Sequence, residues 1–138
     1  MFKDDPAMTL REATGPIRVL CVDDHVIIGM AMRATIDAAP DMTCVGCLER
    51  ADTLLEAVAE LKPDAVLLDL RMPGREPLAA MRDLIRKHPG VAVVVLSGSG
   101  DNETREAALA AGAWCYLLKG SSGQKIVKTI RDAVARKG

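Results

Sequence analysis

Four short apolar runs in this chain each stop on a polar residue: IRVLCV on Asp23-Asp24, AVLL on Asp69, VAVVVL on Ser97 and WCYLL on Lys119. Runs this short and this rich in β-branched residues read as buried strands, and the stretches between them carry helical spacing. Strands that are apolar on both faces and alternate with helices form a parallel sheet covered on both sides. In such sheets ligands bind beyond the carboxyl ends of the strands. Three carboxylates, a hydroxyl and an ammonium are therefore expected to meet at one edge.

The rest of the chain fits five βα units. Residues 1–16 are polar, lack periodicity and end in Gly15-Pro16, which reads as a flexible leader ahead of one domain over 17–138. Strands are expected near 17–22, 42–48, 64–69, 91–96 and 114–118. Helices are expected near 26–38, 51–62, 77–88, 102–112 and 122–136, the third tolerating Pro77 in its first turn. Met72-Pro73-Gly74 and Gly98-Ser99-Gly100-Asp101 mark turns on the edge that carries the acids. The fourth helix, NETREAALAAG, has only alanines and Leu109 to bury, so its packing is expected to be the weakest.

Composition excludes several functions. The 138 residues make one domain, large enough for a core without disulfides or a structural metal. A net charge of −1 and 2% aromatic residues give neither attraction to nucleic acid nor platforms for stacking bases. No run reaches the ~18 apolar residues of a membrane span, and the first residues lack a signal-peptide core. The expected setting is cytoplasmic, with no membrane contact. Cys44-Val-Gly-Cys47 matches a redox or metal motif. It lies in the strand-like MTCVGCL, where residues three apart point to opposite faces, so the two sulfurs are expected to diverge. Cys21, Cys44 and Cys115 read as small strand hydrophobes. His25 and His88 show no metal spacing, and Asp64 reads as a turn acid.

Asp23, Asp24 and Asp69 in one pocket repel one another unless something neutralises them. Oxygen ligands of this density suit Mg2+ or Mn2+. With the ammonium of Lys119 and the hydroxyl of Ser97, such a site could stabilise a phosphoryl group carried by an aspartate.

With these residues in place, the chain closely resembles the response-regulator receiver domains of two-component signalling. The resemblance covers about residues 17–136 and rests on CVDDH, LLDLRMPG, VVLSG and YLLKG, in that order. It implies a doubly wound, flavodoxin-like α/β fold with strand order 2-1-3-4-5 and five helices. It further implies that Asp69 accepts phosphate from a sensor histidine kinase, while Asp23, Asp24, Asp69 and the backbone carbonyl of Arg71 hold Mg2+. Lys119 is implied as the phosphate-binding lysine, Ser97 as the switch hydroxyl and Tyr116 as the aromatic that moves with it. Gly120 replaces the proline usual after that lysine and, with Asp24-His25, resembles the branch that usually carries a LuxR-type helix-turn-helix. A DNA-binding output domain beyond residue 138 is therefore one expectation, and a free-standing receiver the other. Arg75-Glu76-Pro77 departs from the family's usual acidic-glycine turn without removing a reactive group.

The competing reading is a Mg-dependent phosphohydrolase with an aspartyl nucleophile. Enzymes of that kind carry a second acid two residues after the nucleophile, where this chain has Arg71. A flavodoxin-like cofactor carrier is disfavoured because Asp23-Asp24 would repel its phosphate. On the first helix, Val26 and Met30, with Gly29 beside them, project to the solvated side marked by Arg33 and Asp37. That apolar strip is an expected surface for a homodimer or a docked partner.

Overall fold

The computed structural model describes residues 15–70, 76–98 and 102–137. The leader over 1–14, Arg71, the turn at 72–74 and Ser99, Gly100 and Asp101 lie outside the described residues. Five strands alternate with five helices: β1 (Ile17–Val22), α1 (Val26–Ala38), β2 (Met42–Leu48), α2 (Leu54–Leu61), β3 (Ala65–Asp69), α3 (Pro77–Lys87), β4 (Ala92–Ser97), α4 (Asn102–Ala110), β5 (Cys115–Leu118) and α5 (Gly123–Lys137). The strands form one parallel sheet in the order β2-β1-β3-β4-β5, the order the resemblance implied.

Alternation along each strand divides the core into two layers. Ile17, Val19 and Cys21 of β1, with Ala65 and Leu67 of β3, pack against Met32 and Ile36 of α1 and Ile126, Ile130 and Val134 of α5. Leu20, Val22, Val66 and Leu68 point the other way, onto Leu54 and Val58 of α2, Met81 and Leu84 of α3 and Ala108 of α4. Apart from Arg18 near the start of β1, which bonds the Leu61 carbonyl, the central strands buried on both faces carry no polar residue until their carboxyl ends, which is why each run ends where it does.

Local chemistry sets the element ends. Ser122 Oγ accepts from the backbone N–H of Lys125 at 3.1 Å and caps α5. α2 starts at Leu54 rather than at Ala51, because Ala51 to Thr53 form a turn closed by Leu54 N–H on the Ala51 carbonyl. It stops at Lys62, whose φ of +52° turns the chain ahead of Pro63. Gly112 ends α4 with φ +113°, a backbone conformation that requires glycine, and a Cβ there would also stand 2.9 Å from Ile85 Cδ1 and push that side chain aside. Asp64 is the turn acid expected: its carboxylate accepts from Arg18 N–H at 2.9 Å, and its backbone pairs with Arg18 and Ala92. α4 buries only Ala108, as its composition foretold.

Strand β2 departs from regular pairing, and this corrects the expectation for its cysteines. β1 residue Val19 pairs with Cys44, but the next residue, Leu20, pairs with Gly46, so Val45 is an extra residue in a β-bulge. Val45 packs with the α2 layer, and a Cβ on Gly46 would meet Leu61 and Leu20 on that same side. Two successive residues thus share one face, and Cys44 and Cys47 both point toward α1. Their sulfurs lie 3.9 Å apart rather than diverging. On α1, Val26 and Met30 are exposed as projected, and Ile27 joins them; Gly29 belongs instead to the buried stripe with Met32 and Ile36.

Leu67, wholly buried in the central strand β3, sets a stability expectation. Leu67→Ala should lower the unfolding free energy by about 2–5 kcal/mol in urea titrations. Arg131→Ala removes only the exposed pair with Asp41, at 2.7 Å, and should cost less than about 1 kcal/mol.

Candidate functional site: an acidic edge bridged by one lysine

Strand order places the acids together. β1 and β3 are neighbours with Val22 opposite Leu68, so Asp23 emerges beside Asp69 at the same sheet edge. Both are buried, at 3% and 2% exposure, and Asp24 is partly exposed next to them. Asp23 is held by a turn of its own making: its Oδ1 accepts the backbone N–H of His25, two residues on, at 2.8 Å. The Asp23 N–H donates to the Leu48 carbonyl, which ties the acid to β2.

Lys119 comes from the far side of the sheet. Its N–H donates to the Ser97 carbonyl at 2.8 Å, continuing the β4–β5 pairing in which Ser97 faces Leu118. From there its Nζ reaches across β4 to stand 2.9 Å from Asp23 Oδ2 and 3.0 Å from Asp69 Oδ2. One ammonium thus serves two buried carboxylates. Burial pushes the Asp23 carboxyl up, but the Lys119 ammonium and the bonds from His25 outweigh it and hold the group below its ordinary value. Burial likewise works against the Lys119 charge, and its ion pairs with Asp23 and Asp69 raise the ammonium above its ordinary value.

The sequence reading missed His25. Its Nδ1 lies 2.9 Å from Asp23 Oδ1 and 3.1 Å from Asp24 Oδ1, so donor atoms of Asp23, Asp24, His25 and Asp69 all fall within 4.8 Å of one another. Sequence adjacency to Asp23-Asp24 was the signal; spacing to other histidines was the wrong test.

The donor set suits a hard cation. Asp23 Oδ2 and Asp24 Oδ1 are buried and, despite the nearby Lys119 and His25 nitrogens, accept no hydrogen bond of acceptable direction. Buried oxygens left in that state are the ones a metal ion satisfies. The carbonyl of Arg71, implied as a further ligand, lies outside the described residues.

Ser97 ends β4, 1% exposed and next to the strand that carries Asp69. Tyr116, half-buried on β5 opposite Val95, packs with the α2 and α3 layer. Beyond His25 at the edge, Val26, Ile27 and Met30 make an exposed apolar strip. An open cleft of about 520 Å³ between Pro16, Pro40, Arg131 and Val134 lies at the opposite end of the sheet, away from the acids.

Comparison with known proteins agrees with this geometry. Residues 19–131 match the family model described as the response regulator receiver domain. The chain is 36% identical over 115 residues to response regulator GacA of Pseudomonas viridiflava, covering 83% of this chain and 54% of that protein. It is 35% identical over 120 residues to the nitrate/nitrite response regulator protein NarL of Escherichia coli K12, covering 87% and 56%. It thus spans about half the length of these curated relatives. Among solved structures, the signal receiver domain of a NarL response regulator from Mycobacterium tuberculosis superposes with a TM-score of 0.83 at 26% identity, covering 88% of this chain and 98% of that one. The response regulator domain of Thermotoga maritima CheB gives a TM-score of 0.79 at 30% identity, covering 87% and 97%.

The charge balance predicts a pH-dependent variant. Because the folded pKa of Asp23 is depressed, its stabilising contribution is complete above the ordinary value near 3.9 and is lost as pH falls through the folded value. Lys119→Met removes that contribution and leaves two carboxylates facing each other. In metal-free protein at pH 7 the loss should be about 1–2 kcal/mol, below the ~3–5 kcal/mol for breaking a fully buried pair because the Lys119 side chain is 16% exposed. Thermal melts should show the gap between variant and wild type narrowing below about pH 4.

Proposed function

Because the chain belongs to the response regulator receiver domain family of two-component signalling, we propose that it is a phospho-accepting switch in which Asp69 takes a phosphoryl group from a sensor histidine kinase. The observation that carries this reading is the bridge of Lys119 between the buried Asp69 and Asp23, at 3.0 and 2.9 Å. It supplies a nucleophilic carboxylate already facing the positive charge that an incoming phosphoryl group needs.

In the transfer, an Asp69 carboxylate oxygen bonds to phosphorus, the phosphorus–nitrogen bond of the donor phosphohistidine breaks, and the imidazole nitrogen takes up a proton. Lys119, fixed by its backbone bond to Ser97, keeps its ammonium against the phosphoryl oxygens. Asp23, Asp24 and Asp69, with the Arg71 carbonyl, are the groups assigned to Mg2+ or Mn2+, which when bound neutralises charge on the acids and the phosphoryl group. Ser97 is assigned to a phosphoryl oxygen as the switch hydroxyl. The half-buried Tyr116 is assigned to follow it, carrying the change to the face formed by α4, β5 and α5. A buried hydroxyl beside the acceptor strand and a weakly anchored α4 support that route.

The partner that donates phosphate needs access at the acidic edge, and the exposed Val26, Ile27 and Met30 lie beside it. We assign this strip to docking, by the kinase or by a second copy of the chain. The curated relatives are regulatory proteins, one of them the transcriptional regulatory protein LiaR of Bacillus subtilis, and a structure described as a DNA-binding response regulator of the LuxR family has the same fold, with a TM-score of 0.80. A DNA-binding output domain joined after residue 138 is therefore part of this proposal, with nucleic-acid contact made there and not by this chain. Among the described residues, no helix is long and apolar enough to cross a membrane.

Acetyl phosphate with Mg2+ should add one acid-labile phosphate per chain, read by intact-mass measurement. Asp69→Asn should abolish it, and Asp24→Ala should raise the Mg2+ concentration needed; undiminished labelling of Asp69→Asn would refute the assignment. Beryllofluoride, standing in for the phosphoryl group, should shift amide resonances from Ser97 through Tyr116, since a ligand moves a two-state equilibrium by its differential affinity. Shifts confined to the Asp24 and Asp69 loops would remove Ser97 and Tyr116 from the switch.

A further inference from the structure

We propose that Cys21, Cys44 and Cys47 form a three-thiolate site for a thiophilic metal ion, Cu+ or Zn2+, separate from the acidic edge. The Cys44 sulfur lies 3.9 Å from that of Cys21 and 3.9 Å from that of Cys47, and all three fall within 4.8 Å of one another. An equilateral triangle of 3.9 Å edge has its centre at 3.9/√3, about 2.3 Å from each corner, which is the zinc–thiolate bond length. Opening the third edge to the full 4.8 Å moves the equidistant point only to about 2.5 Å, within the tolerance for such bonds.

The arrangement comes from the bulge. Cys21 and Cys47 are directly paired across β1 and β2, and Cys44 pairs two residues upstream, opposite Val19. In a regular strand Cys44 and Cys47 would face opposite sides; the extra residue Val45 returns both to the face of Cys21. The backbone supports the site as well: the N–H of Cys44 donates to Asp37 Oδ1 of α1 at 2.8 Å, which fixes the middle sulfur against the helix. Cys21 and Cys44 are buried and Cys47 is exposed, so an ion has an entry path with two preformed ligands at its end.

Charge favours the same assignment. Metal ligation requires thiolates, and the Arg33 guanidinium bonds Cys47 and acts on Cys44. Three thiolates, Zn2+ and Arg33 sum to zero charge, with a water open to zinc as fourth ligand on the Cys47 side. Cu+ accepts three thiolates without a fourth donor. Both are soft-ligand choices, distinct from the oxygen-seeking cations of the acidic edge.

The test uses the full chain, reduced, metal-stripped and held under argon, and titrated separately with Cu+ and Zn2+ against chromophoric chelators. One equivalent of either ion should bind and protect Cys47 from alkylation, and the tighter ion identifies the site. Cys47→Ser, an exposed change whose fold is checked by circular dichroism, should weaken binding at least about tenfold, the least that loss of a direct ligand costs when outer partners cost ~10–100-fold. Cys115→Ala, on β5 away from the cluster, should change nothing. Absence of stoichiometric binding by both ions, equal affinity in Cys47→Ser, or an equal loss in Cys115→Ala would each overturn the proposal. None of these readouts involves phosphorylation at Asp69.

Discussion

The acidic edge can stay folded because one ammonium is shared between two buried carboxylates that belong to different strands. Asp23 follows β1, Asp69 ends β3, and Lys119 follows β5, two strands away from β3. Without that cation, burial would push the Asp23 carboxyl up. With it, Asp23 is held below its ordinary value. The bridge also records the whole topology, since it closes only if β1 and β3 are neighbours, β4 lies beyond β3, and the turn after β5 is tied to Ser97.

The same sheet explains why the acids stand where they do. Central strands packed by helices on both faces tolerate no unpaired polar group along their length, so carboxylates, hydroxyl and ammonium are displaced to the ends. There, the Asx-type turn at Asp23 satisfies the backbone N–H of His25, and Asp23 Oδ2 and Asp24 Oδ1 are left without a hydrogen bond. Fold and function draw on the same economy of polar groups.

At the edge of the sheet the constraint is weaker, and β2 uses that freedom. Its bulge at Val45 bends the strand around Gly46, where Leu20 and Leu61 leave no room for a larger side chain without displacement. Cys21 lies two residues before Asp23 on β1, and Leu48, which accepts from Asp23 N–H, lies one residue after Cys47 on β2. Soft sulfur donors and hard oxygen donors thus occupy neighbouring segments of the same strand pair.

By itself the sequence determined the element order, the parallel sheet, the convergence of Asp23, Asp24, Asp69 and Lys119, and the place of Ser97 at the end of β4. These follow from apolar runs whose length and two-sided burial admit one architecture, and from polar residues that can stand only at strand ends. Local pattern also sufficed for the weak anchoring of α4 and the turn role of Asp64. What tertiary structure decided was the geometry that depends on a partner strand or helix. His25 joined the acids because the turn after β1 folds back on Asp23. Gly29 went inward while Ile27 stayed in solvent, because the packing of α1 set its rotation. Cys44 and Cys47 came together because pairing with β1 inserts one residue at Val45. A period-of-two reading assumes an unbroken strand, and a bulge is a property of two strands in register, so no inspection of MTCVGCL alone could have placed those sulfurs on one face.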